Sequence, residues 1–120
     1  MSNARRTIGG PQRASGAPIS GAVIANGFVF VSGQTTPGPD IETQTRGALD
    51  KIAALLREAG SGIDSAVRCT IYMSDISLRD RMNAVYASYF KDEPPARATV
   101  ECRLARADLL VEIDCTAVVG

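Results

Sequence analysis

The chain has no histidine and no tryptophan, and its aromatic residues are confined to 3 tyrosines and 3 phenylalanines. Without histidine there can be no Ser-His-Asp triad, no His-assisted cysteine nucleophile and none of the usual His-bearing zinc sites. Any chemistry must therefore use Arg, Glu, Asp, Tyr, Thr, Cys or backbone groups. An excess of one charge is missing as well, because 13 basic and 13 acidic residues cancel to a net charge of 0. Nucleic acids and anionic membranes normally select a basic footprint, so neither is expected as a partner. No apolar run approaches the length that spans a bilayer. Met1-Ser2-Asn3-Ala4-Arg5-Arg6 does not lead into the apolar stretch of a signal peptide. Cysteine is scarce and odd in number: Cys69, Cys102 and Cys115 are widely spaced. All three fall on the apolar sides of predicted strands, which suits reduced, buried thiols in a cytoplasmic protein better than a disulfide framework.

What remains is an ordinary globular composition, 45% hydrophobic and 22% charged over 120 residues, enough for one core and one domain, 1–120. A short strand is expected near Arg6–Ile8, followed by an irregular glycine- and proline-containing loop. Pro18 opens a strand over Ile19–Ala25, Asn26-Gly27 is a hairpin signal, and Phe28–Gln34 returns as a strand apolar on both faces. Asp40 is a candidate N-cap for a helix from Ile41 to about Ala59, whose apolar residues Ala48, Leu49, Ile52, Leu55 and Leu56 repeat at helical spacing, with Gly60 as the stop. Ala66–Met73 alternates as a strand. Ser77-Leu78-Arg79-Asp80 resembles a capping box for a second helix to about Phe90, with Leu78, Met82, Val85, Tyr86 and Tyr89 on one stripe.

Two strands then close the chain. Ala96, Ala98, Val100 and Cys102 alternate with Arg97, Thr99, Glu101 and Arg103, and Val111, Ile113 and Cys115 alternate with Glu112, Asp114 and Thr116. If these strands are neighbours, Arg97 and Glu112 share one polar sheet face, able to grip a small carboxylate and place a water beside it. The order β-β-β-α-β-α-β-β predicts an α+β layer with two helices on one face of a mixed sheet. The opposite face would mix polar and apolar residues, which predicts a closed homo-oligomer.

The residues resemble the Rid/YjgF family of reactive-intermediate deaminases along nearly the whole chain. The resemblance rests on Gly16-Ala17-Pro18, Phe30-Val31-Ser32-Gly33-Gln34, Leu49-Asp50 and Asn83-Ala84-Val85-Tyr86-Ala87-Ser88-Tyr89-Phe90. It closes on Pro95-Ala96-Arg97-Ala98-Thr99-Val100-Glu101 with Val111-Glu112-Ile113. It implies a chorismate-mutase-like fold closing into a homotrimeric barrel, with clefts between subunits and neither a metal nor an organic cofactor. It also implies hydrolysis of 2-enamines and 2-imines to 2-oxo acids and ammonia. Arg97 matches the family arginine that holds the substrate carboxylate, and Glu112 the acid that positions or activates water. Ser32 and Gly33 match a strand end lining the cleft, and Asn83 a polar position on the second helix.

Two departures bear on substrate choice. A tyrosine common just after the Gly-x-Pro segment is replaced by Ile19, and a cysteine common two residues past the arginine is replaced by Thr99. Ile19 makes that wall of the pocket more apolar and removes a hydroxyl; Thr99 argues against a thiol mechanism there. A dedicated pathway enzyme with an altered substrate and a non-catalytic carboxylate-binding trimer are the alternatives, and an endoribonuclease is the least favoured. On alternation alone, Arg97 could instead pair with Glu101 or Glu112, and Glu112 could be one charge on a solvated strand.

Overall fold

Asn26 and Gly27 anchor the first hairpin: both lie at positive φ, 52° and 82°, the backbone a two-residue turn requires. The computed structural model describes residues 4–12 and 16–120. Met1–Asn3, and residues 13–15 of the expected irregular loop, lie outside the described residues. Around the turn, β2 (Ala17–Ala25) pairs antiparallel with β3 (Phe28–Gln34), and β1 (Arg6–Gln12), longer than expected, pairs antiparallel with β2.

Helix α1 (Ile41–Glu58) starts where the sequence predicts: the Thr43 N–H donates to Asp40 Oδ1 at 2.8 Å, and Asp40 sits in extended backbone. Gly60, at φ 79°, follows its last turn. Strand β4 (Ala66–Met73) follows, then helix α2 (Arg79–Tyr89). The capping box expected at Ser77 is not what starts α2. A 3-10 turn over Ile76–Leu78 intervenes, and Asp75 caps that turn by accepting from the Ser77 N–H at 3.0 Å and the Ser77 hydroxyl at 2.6 Å. Asp75 is the stronger acceptor, so the serine acts as its donor.

Strands β5 (Ala96–Glu101) and β6 (Val111–Val118) complete a six-stranded mixed sheet in the order β1-β2-β3-β6-β4-β5. The element order and the α+β class are as read from the sequence. The two last strands, however, are not neighbours: β4 lies between them, parallel to β5 and antiparallel to β6.

Both helices pack on one face. Ala48, Leu49, Ile52 and Leu56 of α1 and Met82 and Tyr86 of α2 bury against Val29, Val31, Cys69, Ile71, Met73, Val111, Ile113, Cys115 and Ala117 of the central strands. Each fully buried Leu or Ile stabilises the fold by roughly 1.5–3 kcal/mol. Polar ties fix the helix layer: the Arg81 guanidinium makes a two-pronged pair with Glu42, both contacts 2.8 Å, and the Tyr89 hydroxyl donates to Asp50 at 2.6 Å. Among the described residues no helix is long and apolar enough to cross a membrane.

The other face is open in the single chain. β3 was expected to be covered on both sides, yet Phe28 and Phe30 are 39% and 47% exposed while Val29 and Val31 are buried. Val67 was placed inward by alternation. It is exposed, because the β4–β6 register shifts between Ala66 and Arg68 and turns it out. Among the cysteines, Cys69 and Cys115 are buried and unbridged, whereas Cys102 lies just beyond β5 and is only half-buried.

Candidate functional site

Glu112 owes its position to a chain of local causes. Gln44, buried in α1, donates from Nε2 to the Gly38 and Asp108 carbonyls at 3.1 and 3.0 Å, while its Oε1 accepts from the Leu110 N–H at 2.8 Å. This one amide pins the loop that delivers β6, with Glu112 two residues on. Val111 and Ile113 enter the core, so Glu112 must point to the open face. There it meets Gly33. The β3–β6 ladder takes three residue steps from Val31 to Gln34 against two from Cys115 to Ile113, a bulge that holds Ser32 and Gly33. A Cβ added at Gly33 would lie 2.0 Å from Glu112 Oε2, so only glycine leaves room for the carboxylate where it stands. The Ser32 hydroxyl donates to the Ser20 carbonyl at 2.6 Å, which ties the bulge to β2.

Beside Glu112 is a cavity of about 250 Å³ lined by Tyr72, Cys102, Arg103, Leu104, Ala105, Glu112 and Asp114. Asp114 is occupied: it accepts from the Tyr72 hydroxyl at 3.1 Å and the Thr70 N–H at 3.2 Å. Burial, and then the Asp114 carboxylate, push the Tyr72 phenol above its ordinary range, so it remains a donor. Among the described residues Glu112 makes no ion pair and no hydrogen bond through its carboxylate, which leaves its lone pairs available. A larger hollow of about 550 Å³ at the end of α2, lined by Asp64 and residues 88–93, holds none of the candidate site residues.

Arg97 is on the other side of the sheet, and here the sequence reading is corrected. Parallel neighbours share a face, and the register sets Arg97 beside Cys69, whose side chain is in the core. The guanidinium lies 4.8 Å from the centroid of the Tyr86 ring of α2. The physical reason is that β5 is the edge strand: Arg97 turns to the helix side, stacks its guanidinium on Tyr86 and is half-buried at the rim. Such a stack contributes roughly 0.5–2 kcal/mol. The structural alternative for Arg97 also falls away. The ion pairs among the described residues are Arg81–Glu42 and Arg106–Asp108, and Glu101 instead accepts from the Ile76 N–H at 2.8 Å.

The residues singled out from the sequence thus form two groups. Ser32, Gly33 and Glu112 meet on the open face. Arg97, Thr99 (beside Ile71, on the helix side of β5) and Asn83 of α2 belong to the other side. The Asn83 Oδ1 and the Tyr86 hydroxyl are buried without a hydrogen-bond partner in the chain. Ile19, 47% exposed near the start of β2, joins neither group within one chain. Sequence reasoning missed Tyr86 as the platform for Arg97, because a tyrosine on an apolar helix stripe reads as core. It also missed the Gly33–Glu112 approach, which only the bulge creates. No group of three or more Cys, Asp or Glu side chains suited to a metal ion occurs among the described residues.

A family model described as Endoribonuclease L-PSP matches residues 11–119. The chain belongs to the Rid/YjgF family. It is 37% identical over 111 residues to a RutC family protein of Synechocystis, covering 84% of this chain and 85% of that protein. A YjgF family member from Neisseria meningitidis superposes with a TM-score of 0.90 at 36% identity, covering 98% of this chain and 97% of that one. A member of the YjgF/YER057c/UK114 family from Mycobacterium tuberculosis gives the same TM-score and identity, covering 97% and 100%. The single-chain Rid/YjgF fold therefore stands.

Proposed function

We propose that the protein hydrolyses reactive 2-enamine and 2-imine intermediates to 2-oxo acids and ammonia, as a homotrimeric barrel with its sites between subunits, in the cytoplasm. The observation that carries this reading is the separation of two unpaired charges. Arg97 and Glu112 occupy opposite faces of one sheet, with β4 between their strands, a lateral distance of roughly 10 Å before the sheet thickness is added. One small substrate cannot touch both through a single chain. It can do so where the rim of one copy, bearing Arg97, abuts the open face of the next, bearing Glu112. The exposed apolar residues Phe28, Phe30, Val67 and Val118 support that contact, since they gain from being covered.

The chemistry fits these groups. The enamine tautomerises to an imine whose C2 is electrophilic. Arg97 grips the adjacent carboxylate in a planar two-point contact, which a lysine would not reproduce. Glu112 accepts a proton from water as it adds to C2, then returns it to nitrogen, and the carbinolamine collapses to ketone and ammonia. Neither a metal nor an organic cofactor is required in this scheme. Ser32, Gly33, Asn83 and Thr99 shape the cleft, with Ile19 as an apolar wall that favours a longer or less polar imine.

The test is 2-oxo acid and ammonia release from freshly generated amino-acid imines of several chain lengths, wild type against Arg97→Ala. Acceleration that disappears in the variant supports the reading. No acceleration above the spontaneous rate for any imine overturns it. Binding of a 2-oxo acid without ammonia release would then favour a non-catalytic carboxylate-binding trimer, the reading that the missing hydroxyl at Ile19 supports. RNA cleavage that survives Arg97→Ala would favour the activity in the family model's name. The absence of histidine and the net charge of 0 weigh against it.

A further inference from the structure

Beneath Arg97 lies a pair of thiols that the proposed reaction does not use. Cys69 of β4 and Cys115 of β6 are direct antiparallel partners, 0% and 2% exposed, both side chains on the helix side. The kind of pairing matters. The Ser74 N–H donates to the Leu110 carbonyl at 3.2 Å, one step beyond the Met73–Val111 pair, and the register runs without a shift from Met73–Val111 to Cys69–Cys115. Hydrogen-bonded and non-hydrogen-bonded pairs alternate along such a ladder, so Cys69–Cys115 is non-hydrogen-bonded, the closer kind, with Cα atoms about 4.5 Å apart. That is at the near edge of the window of roughly 4.4–6.8 Å that a disulfide spans. A bond formed there would be strained and so readily reduced.

The surroundings distinguish this pair from inert core cysteines. The neighbouring Cys115 thiol holds the Cys69 thiol below its ordinary range against the opposing effect of burial. Cys115 is pushed up by its neighbour Cys69 and by burial. Cys69 is also the register neighbour of Arg97, and both approach Tyr86.

We infer that Cys69 and Cys115 are a modification site, a cross-strand dithiol that peroxide converts reversibly to a disulfide, and that closing it disturbs Arg97 through Tyr86. The Cys69 thiolate attacks one oxygen of hydrogen peroxide, the O–O bond breaks, and a sulfenic acid and, after protonation, water result. The Cys115 sulfur then attacks the Cys69 sulfur, the S–O bond breaks, and a second water leaves. Two thiols lose two electrons in total, and one peroxide becomes two waters. A dithiol reductant reverses the step. The effect on Arg97 rests on the function proposed above; formation of the disulfide does not.

The experiment treats the intact protein with hydrogen peroxide, maps disulfides by non-reducing peptide mass spectrometry, and measures imine hydrolysis before oxidation, after it and after dithiothreitol. The expected result is a loss of 2 hydrogens, a Cys69–Cys115 linked peptide, and a rise in KM of roughly fivefold or more that the reductant reverses. Cys115→Ala should remove the linked peptide and the peroxide sensitivity together. Three free thiols after oxidation, or a bridge involving Cys102, would overturn the site. A Cys69–Cys115 bridge with unchanged kinetics would overturn its link to Arg97. If even the reduced protein hydrolyses no imine, the functional proposal fails while the peptide map still decides the disulfide.

Discussion

The two faces of the sheet are finished to different degrees. The helix side is a closed core: Leu49, Ile52 and Leu56 of α1 are 0% exposed, and the ties of Arg81 to Glu42 and Tyr89 to Asp50 hold the helices to each other. The open side combines exposed Phe28 and Phe30 with an unpaired carboxylate seated on a glycine. Two polar pairs tie the helices together on one face, while the other leaves the Glu112 carboxylate unpaired among the described residues. The sheet thus separates a packed core from an open face, and under the proposed function Arg97, on the rim of the packed side, reaches the open face of another copy.

The largest effect expected follows from that position. Arg97→Ala should lower kcat/KM for imine hydrolysis by about a thousandfold, and Arg97→Lys should recover little of it, with the thermal midpoint shifted by only a few degrees. Steady-state kinetics beside a melting curve checks both halves. Next, the two faces should respond in opposite ways to mutation. Leu49→Ala should cost about 2–5 kcal/mol in urea unfolding. Phe30→Asp should leave far-UV circular dichroism unchanged and shift the sedimentation coefficient to that of a monomer. Denaturation by Phe30→Asp, or indifference to it in sedimentation, would remove the contrast.

A smaller effect separates geometry from charge on the open face. Gly33→Ala forces the flexible Glu112 side chain away from a Cβ that would sit 2.0 Å from its Oε2. Activity should fall about tenfold while stability hardly changes, because the displaced group is a side-chain end rather than backbone. The smallest effect is on the helix face. Burial and the Asp50 carboxylate raise the Tyr89 hydroxyl from 10.0 to about 12. A raised folded value means that the proton is held more tightly in the folded state. The contribution is therefore fully present below pH 10 and is lost as pH rises through about 12. Tyr89→Phe should flatten the stability curve over that interval by a small, solvent-screened amount.

Much of the fold was legible because its local signals agree with one another. Asn26-Gly27, Asp40, Gly60 and the spacing from Ala48 to Leu56 each fixed an element end or a face, and the structure places them accordingly. The site was legible in residue type but not in arrangement. Alternation told that Arg97 and Ala96 point oppositely, but strand order decides which of them meets the helices, and no residue in either strand reports that β4 lies between β5 and β6. The bulge at Ser32 and Gly33 was hidden for a similar reason: Gly33 looks like a strand end until a carboxylate from β6 occupies the space of its missing side chain. Tyr86 gave no sign beyond a hydroxyl on an otherwise apolar stripe, and Gln44 likewise reads as a surface residue although it is wholly buried.

In the proposed function one site takes Arg97 from one copy and Glu112 from another. The most direct measurement mixes two inactive variants, Arg97→Ala and Glu112→Gln, unfolds and refolds them together in equal amounts, and assays imine hydrolysis. In random trimers about one cleft in four receives an intact arginine from one copy and an intact glutamate from its neighbour, so about a quarter of wild-type activity should return. If the mixture, shown to exchange subunits, stays as inactive as either variant alone while wild type refolds to full activity, the two residues do not share a site between copies.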